Sequence, residues 1–242
     1  MIQEDKSLMQ QLDLIGINSE VFASLPDDFK EAMEAGVLTP LLCTRKEMQD
    51  GRILEMPMKL QVTTDRDGKK VLLVYPVLAN FNNEMQLSAG AYSSLKNGDV
   101  LRIKDSYLQR DPETNCVIKI PANELSVEER LKDIEKVHDI ELGSEQKNRI
   151  RNGQPVELNV GGETVTVGLD LKEPNHFKTL KGGLDDWEYQ QKVDYDILHP
   201  EYLGVVKTDE NRWEYQQIML SERYPESLKE KPRQTRNAGM QR

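Results

Sequence analysis

The sequence predicts an α+β protein built from a repeated small unit, a short helix followed by an antiparallel β-hairpin. Three observations carry that expectation. The segments LPDDFKEAMEAG from Leu25, LSAGAYSSLKNG from Leu87 and LGSEQKNRIRNG from Leu142 align without a gap, each opening on leucine and reaching glycine eleven positions later. Each is followed by two strand-like stretches; after the third, Val156, Leu158 and Val160 and then Val165, Val167 and Leu169 alternate with other residues, the signature of strands with one buried face. Turn-forming residues separate the two stretches every time.

Taken in order, Leu8, Leu12 and Ile15 predict an amphipathic helix that stops at Gly16. In the three aligned segments Met33, Leu95 or Ile150 stands three positions before the glycine, where a short helix presses its last turn inward. Gly36, Gly98 and Gly153 then supply the left-handed conformation that ends a helix without a Cβ penalty. These glycines are 62 and 55 residues apart, from 98 − 36 and 153 − 98. After the first, ILEMPMKLQV and KKVLLVYPVL flank TTDRDG; after the second, VLRIKDSYL and CVIKIP flank RDPETN. After the third, PVELNV and ETVTVGLDL flank Gly161 and Gly162, a pair that favours a tight hairpin turn. Isolated hairpins are marginal in water, so the units must pack on each other or on helices.

Between the second and third units, LSVEERLKDIEKVHDI predicts a helix with Ser126 and Glu129 as a capping box and Leu131, Ile134 and Val137 on one face. That helix is a natural joint. It divides the chain into an N-terminal module over 1–124 and a C-terminal module over 125–228, with a boundary near 140 as the alternative.

Both tryptophans lie in the same five letters, WEYQQ at Trp187 and again at Trp213. Read as strands, the copies put Trp187 and Tyr189, and Trp213 and Tyr215, on one side each. TDEN predicts a hairpin turn ahead of the second copy, KGGLDD a turn ahead of the first, and Pro200 a loop between them. Two readings are open besides chance recurrence. The aromatics fill the core of an aromatic β module, or Trp187, Tyr189, Trp213 and Tyr215 form a surface that anchors a partner.

Charge is unevenly placed. The chain carries −10 overall, but Lys229, Lys231, Arg233, Arg236 and Arg242 against Glu230 give the last fourteen residues +4, leaving −14 on residues 1–228. A body of that sign repels phosphate backbones, so only the basic tail, whose composition predicts disorder, could contact nucleic acid. With 37% apolar and 31% charged residues the core must be modest, which suits small modules better than one thick globule. The N-terminal residues do not resemble a secretory signal, and the apolar run Val71 to Ala79 is too short to span a bilayer, so a soluble cytoplasmic protein is expected. Cys43 and Cys116 sit in no CxxC arrangement and read as reduced, part-buried thiols.

The chemistry-bearing residues do not converge in the sequence. His138, His176 and His199 lack partners at ligand spacing, so neither a metal nor another cofactor is expected. Asp27 and Asp28 read as first-turn helix residues, and Asp185 and Asp186 as a turn. NVGGETVTVG has strands on both sides of its glycines and reads as a hairpin rather than a phosphate loop. HFKTLKGG, with His176, Lys178 and Lys181 ahead of Gly182 and Gly183, is the best local candidate for binding an anion.

LDLIGINSEVF from Leu12, the helix ending at Ala35 and Gly36, and LGSEQKNRIRNGQPVEL from Leu142 resemble two uncharacterised Bacteroidetes families, domains of unknown function 4099 and 3945. The resemblance spans roughly residues 8 to 171. It implies a tandem of two domains, in families that occur with mobile genetic elements and sometimes with topoisomerase-like proteins. It implies no activity and no catalytic residues. The leading expectation is a non-catalytic protein-binding or adaptor protein. A nucleic-acid accessory factor acting through the tail is the alternative, and a small-anion binder or enzyme a third.

Overall fold

The computed structural model describes residues 2–47, 51, 53–65, 67–78, 80–196, 201–207 and 213–219. Among these the α+β class holds, with three three-stranded antiparallel sheets and one two-stranded hairpin, accompanied by seven α-helices. The repeated unit is present, but it is larger than the sequence suggested. Each unit is a helix followed by a three-stranded meander.

The first unit follows α1 (Lys6–Leu14) and α2 (Ser19–Ser24). Asp5 caps α1 by accepting from the N–H groups of Ser7 and Leu8, and Asn18 caps α2 from those of Glu20 and Val21. The unit's own helix α3 (Asp27–Ala35) ends at Gly36, φ +71°, with Asp27 and Asp28 in its first turn as expected. Strands β1 (Leu42–Glu47), β2 (Ile53–Thr64) and β3 (Lys70–Pro76) follow in that order across the sheet. The added strand is β1, whose LCTRKE has too few apolar residues to announce itself.

Strand β2 is covered on both sides, and its period of two separates two different environments. Met58, Leu60 and Val62 join Leu8, Leu12, Ile17, Phe22, Phe29 and Met33 in a core beneath α1, α2 and α3. Lys59 and Gln61 are buried as well. Both bond with other parts of the chain, Lys59 with Asp111 and Gln61 with the carbonyl of Gly36.

The second unit is α4 (Ala89–Lys96), closed by Gly98, with β4 (Leu101–Ile103), β5 (Ser106–Arg110) and β6 (Val117–Pro121). VLRIKDSYL, expected as one strand, is two strands joined by a turn at Lys104 and Asp105. The third unit is α6 (Ser144–Arg151), closed by Gly153, with β7 (Val156–Val160), β8 (Glu163–Leu169) and β9 (Phe177–Lys181). Gly161 and Gly162 make the tight β7–β8 turn, at φ +60° and +89°. The intervening α5 (Val127–His138) forms, but Ser126 does not cap it: Ser126 is itself left-handed, φ +47°, and its side chain makes no cap hydrogen bond. Leu131 and Ile134 pack into the core as expected, while Val137 is exposed.

Units two and three share that core with Leu38 and Tyr75 of the first unit, and it runs through Ile118, Leu131 and Ile150 to Val167 and Phe177. Polar bonds reinforce it. Tyr107 Oη donates to the Arg151 carbonyl at 2.8 Å, meeting one of the acceptors orphaned at the end of α6. The Leu171 N–H donates to Gln109 Oε1 at 2.6 Å.

The first WEYQQ copy corrects the strand expectation. It lies in α7 (Leu184–Asp196), and Asp185 and Asp186 are its first turn rather than a free turn. The second copy is a strand, β11 (Trp213–Met219), paired antiparallel with β10 (Glu201–Lys207) as expected. One pentapeptide thus adopts two conformations, because tertiary contacts outweigh intrinsic propensity over so short a stretch. Pro200, the TDEN turn, His199 and the basic tail lie outside the described residues.

Candidate functional site

Two groups of polar and aromatic side chains stand out, one between the first two units and one under α7. In the first, Lys59 Nζ lies 2.8 Å from Asp111 Oδ1 and 2.5 Å from Glu113 Oε2, with the lysine and Asp111 side chains almost wholly buried. Burial alone would pull the lysine's pKa down; the Asp111 and Glu113 carboxylates outweigh it and hold the pKa above the ordinary value. Asp111 Oδ2 also accepts from the Thr114 N–H and hydroxyl, at 2.8 and 2.7 Å. With both its oxygens engaged, this aspartate is a tie rather than an acid or base waiting for substrate.

The same aspartate marks a feature that every unit repeats. Asp65, Asp111 and Asp170 each follow or end the middle strand and close its turn, donating N–H to the carbonyls of Lys69, Cys116 and His176. Each carboxylate accepts from an amide of its own turn, from Asp67, Thr114 and Lys172 respectively. The glutamines of the middle strands also recur. Gln61 and Gln109 donate to the carbonyls of Gly36 and Gly98, the glycines that stop α3 and α4. Gln109 stands two before Asp111; two before Asp170 the third unit has Gly168 instead, and the space above it holds the Trp187 indole.

That substitution builds the second group. Trp187, Gln191 and Tyr195 lie at i, i+4 and i+8 on one face of α7. A Cβ on Gly168 would come within 3.1 Å of the indole, and one on Gly98 would overlap the Tyr195 ring. The indole N–H donates to Gln191 Oε1 at 3.0 Å, and Gln191 Nε2 donates onward to the Asn97 carbonyl and Asp99 Oδ1 at 3.2 and 3.1 Å. Tyr195 Oη donates to the Arg110 carbonyl at 2.5 Å. Burial holds the phenol's pKa well above its ordinary value.

The Tyr195 ring completes a column of aromatics and cations. Tyr92 stacks on Phe81 with centroids 5.0 Å apart; the Arg110 guanidinium stands 5.7 Å from Phe81 and 5.0 Å from Tyr195; Lys172 lies 4.7 Å beyond. Each cation faces a ring's negative quadrupole, which is stabilising where solvent is excluded. Helix α7 therefore bridges the second and third units while tied covalently only to the third.

The sequence candidates separate under this geometry. Trp187 is buried in the groove and is a docking residue of its own chain, whereas Tyr189 is 58% exposed on the opposite face. Tyr189 borders an open cleft of about 790 Å³ that includes Lys96, Glu188 and Lys192. The side chains of Trp213 and Tyr215 lie outside the description, although their backbone pairs with Lys207 and Val205. Lys229, Lys231, Arg233, Arg236 and Arg242 also lie outside it.

The three residues of the anion candidate do not come together. His176 closes the β8–β9 turn at φ +60°, and burial lowers its pKa, favouring a neutral imidazole. Lys178 and Lys181, three apart on β9, project to opposite faces and pair with Asp194 and Glu163, each at 2.8 Å. The N–H groups of Gly183 and Leu184, which a phosphate would use, donate to Asp186 and Glu157. The chain's own carboxylates hold that position.

Cys43 is exposed rather than part-buried, while Cys116 is half-buried, and neither is in a disulfide. Burial pushes the Cys116 thiol up to about 11. Among the described residues no cluster of three or more His, Cys, Asp or Glu is placed to hold a metal, and no helix is long and apolar enough to cross a membrane.

No curated protein and no solved structure matches the chain. Residues 2–86, which hold α1, α2 and the whole of the first unit, match the model of one family, described as "Protein of unknown function (DUF4099)".

Proposed function

We propose that this protein is a non-catalytic protein-binding or adaptor module, with the outer face of α7 as its partner surface. The observation that supports the reading is the position of Tyr189. It is exposed on a helix whose opposite face is fixed by Trp187, Gln191 and Tyr195. A tyrosine on a helix held by docking contacts offers a large amphipathic contact at low entropic cost, which is what interface anchors supply. Glu188 and Lys192 flank it along the cleft and could set the orientation of a partner.

Both segments resemble families, domains of unknown function 4099 and 3945, whose members occur with mobile genetic elements, and on that ground the partner is assigned to such machinery. A second reading, a nucleic-acid accessory factor, rests on the +4 charge of residues 229–242. Capture by the full chain after nuclease treatment, compared with a Tyr189→Ala variant, tests the first reading. Loss of a defined protein in the variant supports it; equal recovery sinks it.

A further inference from the structure

We propose that the groove between Gly98 and Gly168 is a receptor for the pattern Trp-x-x-x-Gln in helical form, and that the second WEYQQ copy, Trp213 to Gln217, is its alternative occupant. The proposal does not rest on the role given to Tyr189. In α7 the groove contacts two members of the pentapeptide, Trp187 over Gly168 and Gln191 on the Asn97 carbonyl and Asp99 carboxylate. The two act as one unit. The indole N–H finds its acceptor in Gln191, and the same amide then reads the second unit, so both polar groups are satisfied on entering the groove. Glu188 and Tyr189 face out and are not read.

The residues the groove reads in the first copy are present at the same spacing in the second, as Trp213 and Gln217. In the structure that copy is a strand of a two-stranded hairpin, a form marginal on its own in water. Five identical letters therefore occupy a helix and a strand within one chain. Helix α7 keeps the advantage of a third anchor: position i+8 is Tyr195 in the first copy and Ser221 in the second. The second copy is thus the weaker occupant, able to enter when α7 leaves. Gly182 and Gly183, the only link between β9 and α7, give the first helix a flexible tether about which to leave.

The test uses the full chain with Trp187→Ala, Gln191→Ala, Tyr195→Ala and Trp213→Ala, which removes the anchors of α7 from the groove and both tryptophans from the chain. Peptides spanning residues 183–197 and 210–222 are then titrated separately, so the peptide's own tryptophan is the only one in the sample. The expected result is saturable binding of both, with the second weaker and displaced by the first. Trp213→Ala or Gln217→Ala in the second peptide, probed by competition against the first, should weaken it roughly tenfold or more. Gly168→Val in the chain, which fills the indole seat, should weaken both peptides. Binding of the first peptide without binding or competition by the second overturns the proposal. If neither binds, the groove takes no free segment and the proposal falls too.

Discussion

Lys59 and Asp111, fifty-two residues apart in sequence, form a buried ion pair of 2.8 Å that ties the first unit to the second. Its value lies in the partnership, since a charge left alone in the interior costs far more than the pair contributes. Lys59→Met should therefore lower unfolding free energy by about 3–5 kcal/mol. Glu163→Ala, which breaks the exposed pair with Lys181, should cost less than about 1 kcal/mol. Urea denaturation of both variants checks the contrast.

The same lysine sets a pH dependence. Its folded pKa is raised above the unfolded value of 10.5, so its contribution is fully present below about pH 10.5 and is lost as pH rises through the folded value. From neutral pH upward, the stability gap between wild type and Lys59→Met should narrow only in that alkaline window. A gap that already closes between pH 7 and 9 would contradict the assignment.

Gly98 carries two constraints, φ +91° and the Tyr195 ring on its open side. Gly98→Ala should cost roughly 2–5 kcal/mol, combining backbone strain with overlap. Gly161→Ala, at φ +60° with open space around it, should cost about 1 kcal/mol. In a Tyr195→Ala background the steric part of the Gly98→Ala penalty should disappear, giving a measurable coupling energy in a double-mutant cycle.

The two thiols should differ in reactivity. Cys43 is exposed, whereas the half-buried Cys116 has its pKa pushed up to about 11 and its S–H donates to the Pro76 carbonyl at 3.2 Å. Near neutral pH a thiol reagent should modify Cys43 quickly and Cys116 only on unfolding or at strongly alkaline pH. Peptide mapping of the labelled chain distinguishes them.

If the tail contacts nucleic acid, affinity should fall steeply with salt and vanish on removal of residues 229–242. Filter binding at two ionic strengths checks this. Unchanged affinity after truncation would remove the second functional reading.

The units were legible because their helices end on glycines that need a left-handed backbone, and because β7 and β8 alternate cleanly around Gly161 and Gly162. The turn aspartates were not. Asp65, Asp111 and Asp170 follow the stop glycines by 29, 13 and 17 residues, so a gapless alignment never superimposes them. Strands β1 and β9 were missed because LCTRKE and FKTLK carry few apolar residues, and their pairing comes from the neighbouring strand. Helix α7 departs from the strand expectation for a related reason. Trp, Tyr and Gln at alternate positions satisfy a strand pattern, while the helical face Trp187, Gln191 and Tyr195 becomes recognisable only beside Gly98 and Gly168. The docking residues of α7 are thus partly named in the sequence, through Trp187, for which a core role and an outward-facing role are both open and which the structure buries.

The most direct test of the adaptor reading is mass-spectrometric identification of what co-purifies with the nuclease-treated protein, for wild type and Tyr189→Ala in parallel. The account predicts a defined protein bound to wild type and lost from the variant, whose own stability changes by less than about 0.5 kcal/mol because the side chain is exposed. A partner retained equally by both, or saturable turnover of a substrate by the purified chain, would contradict it.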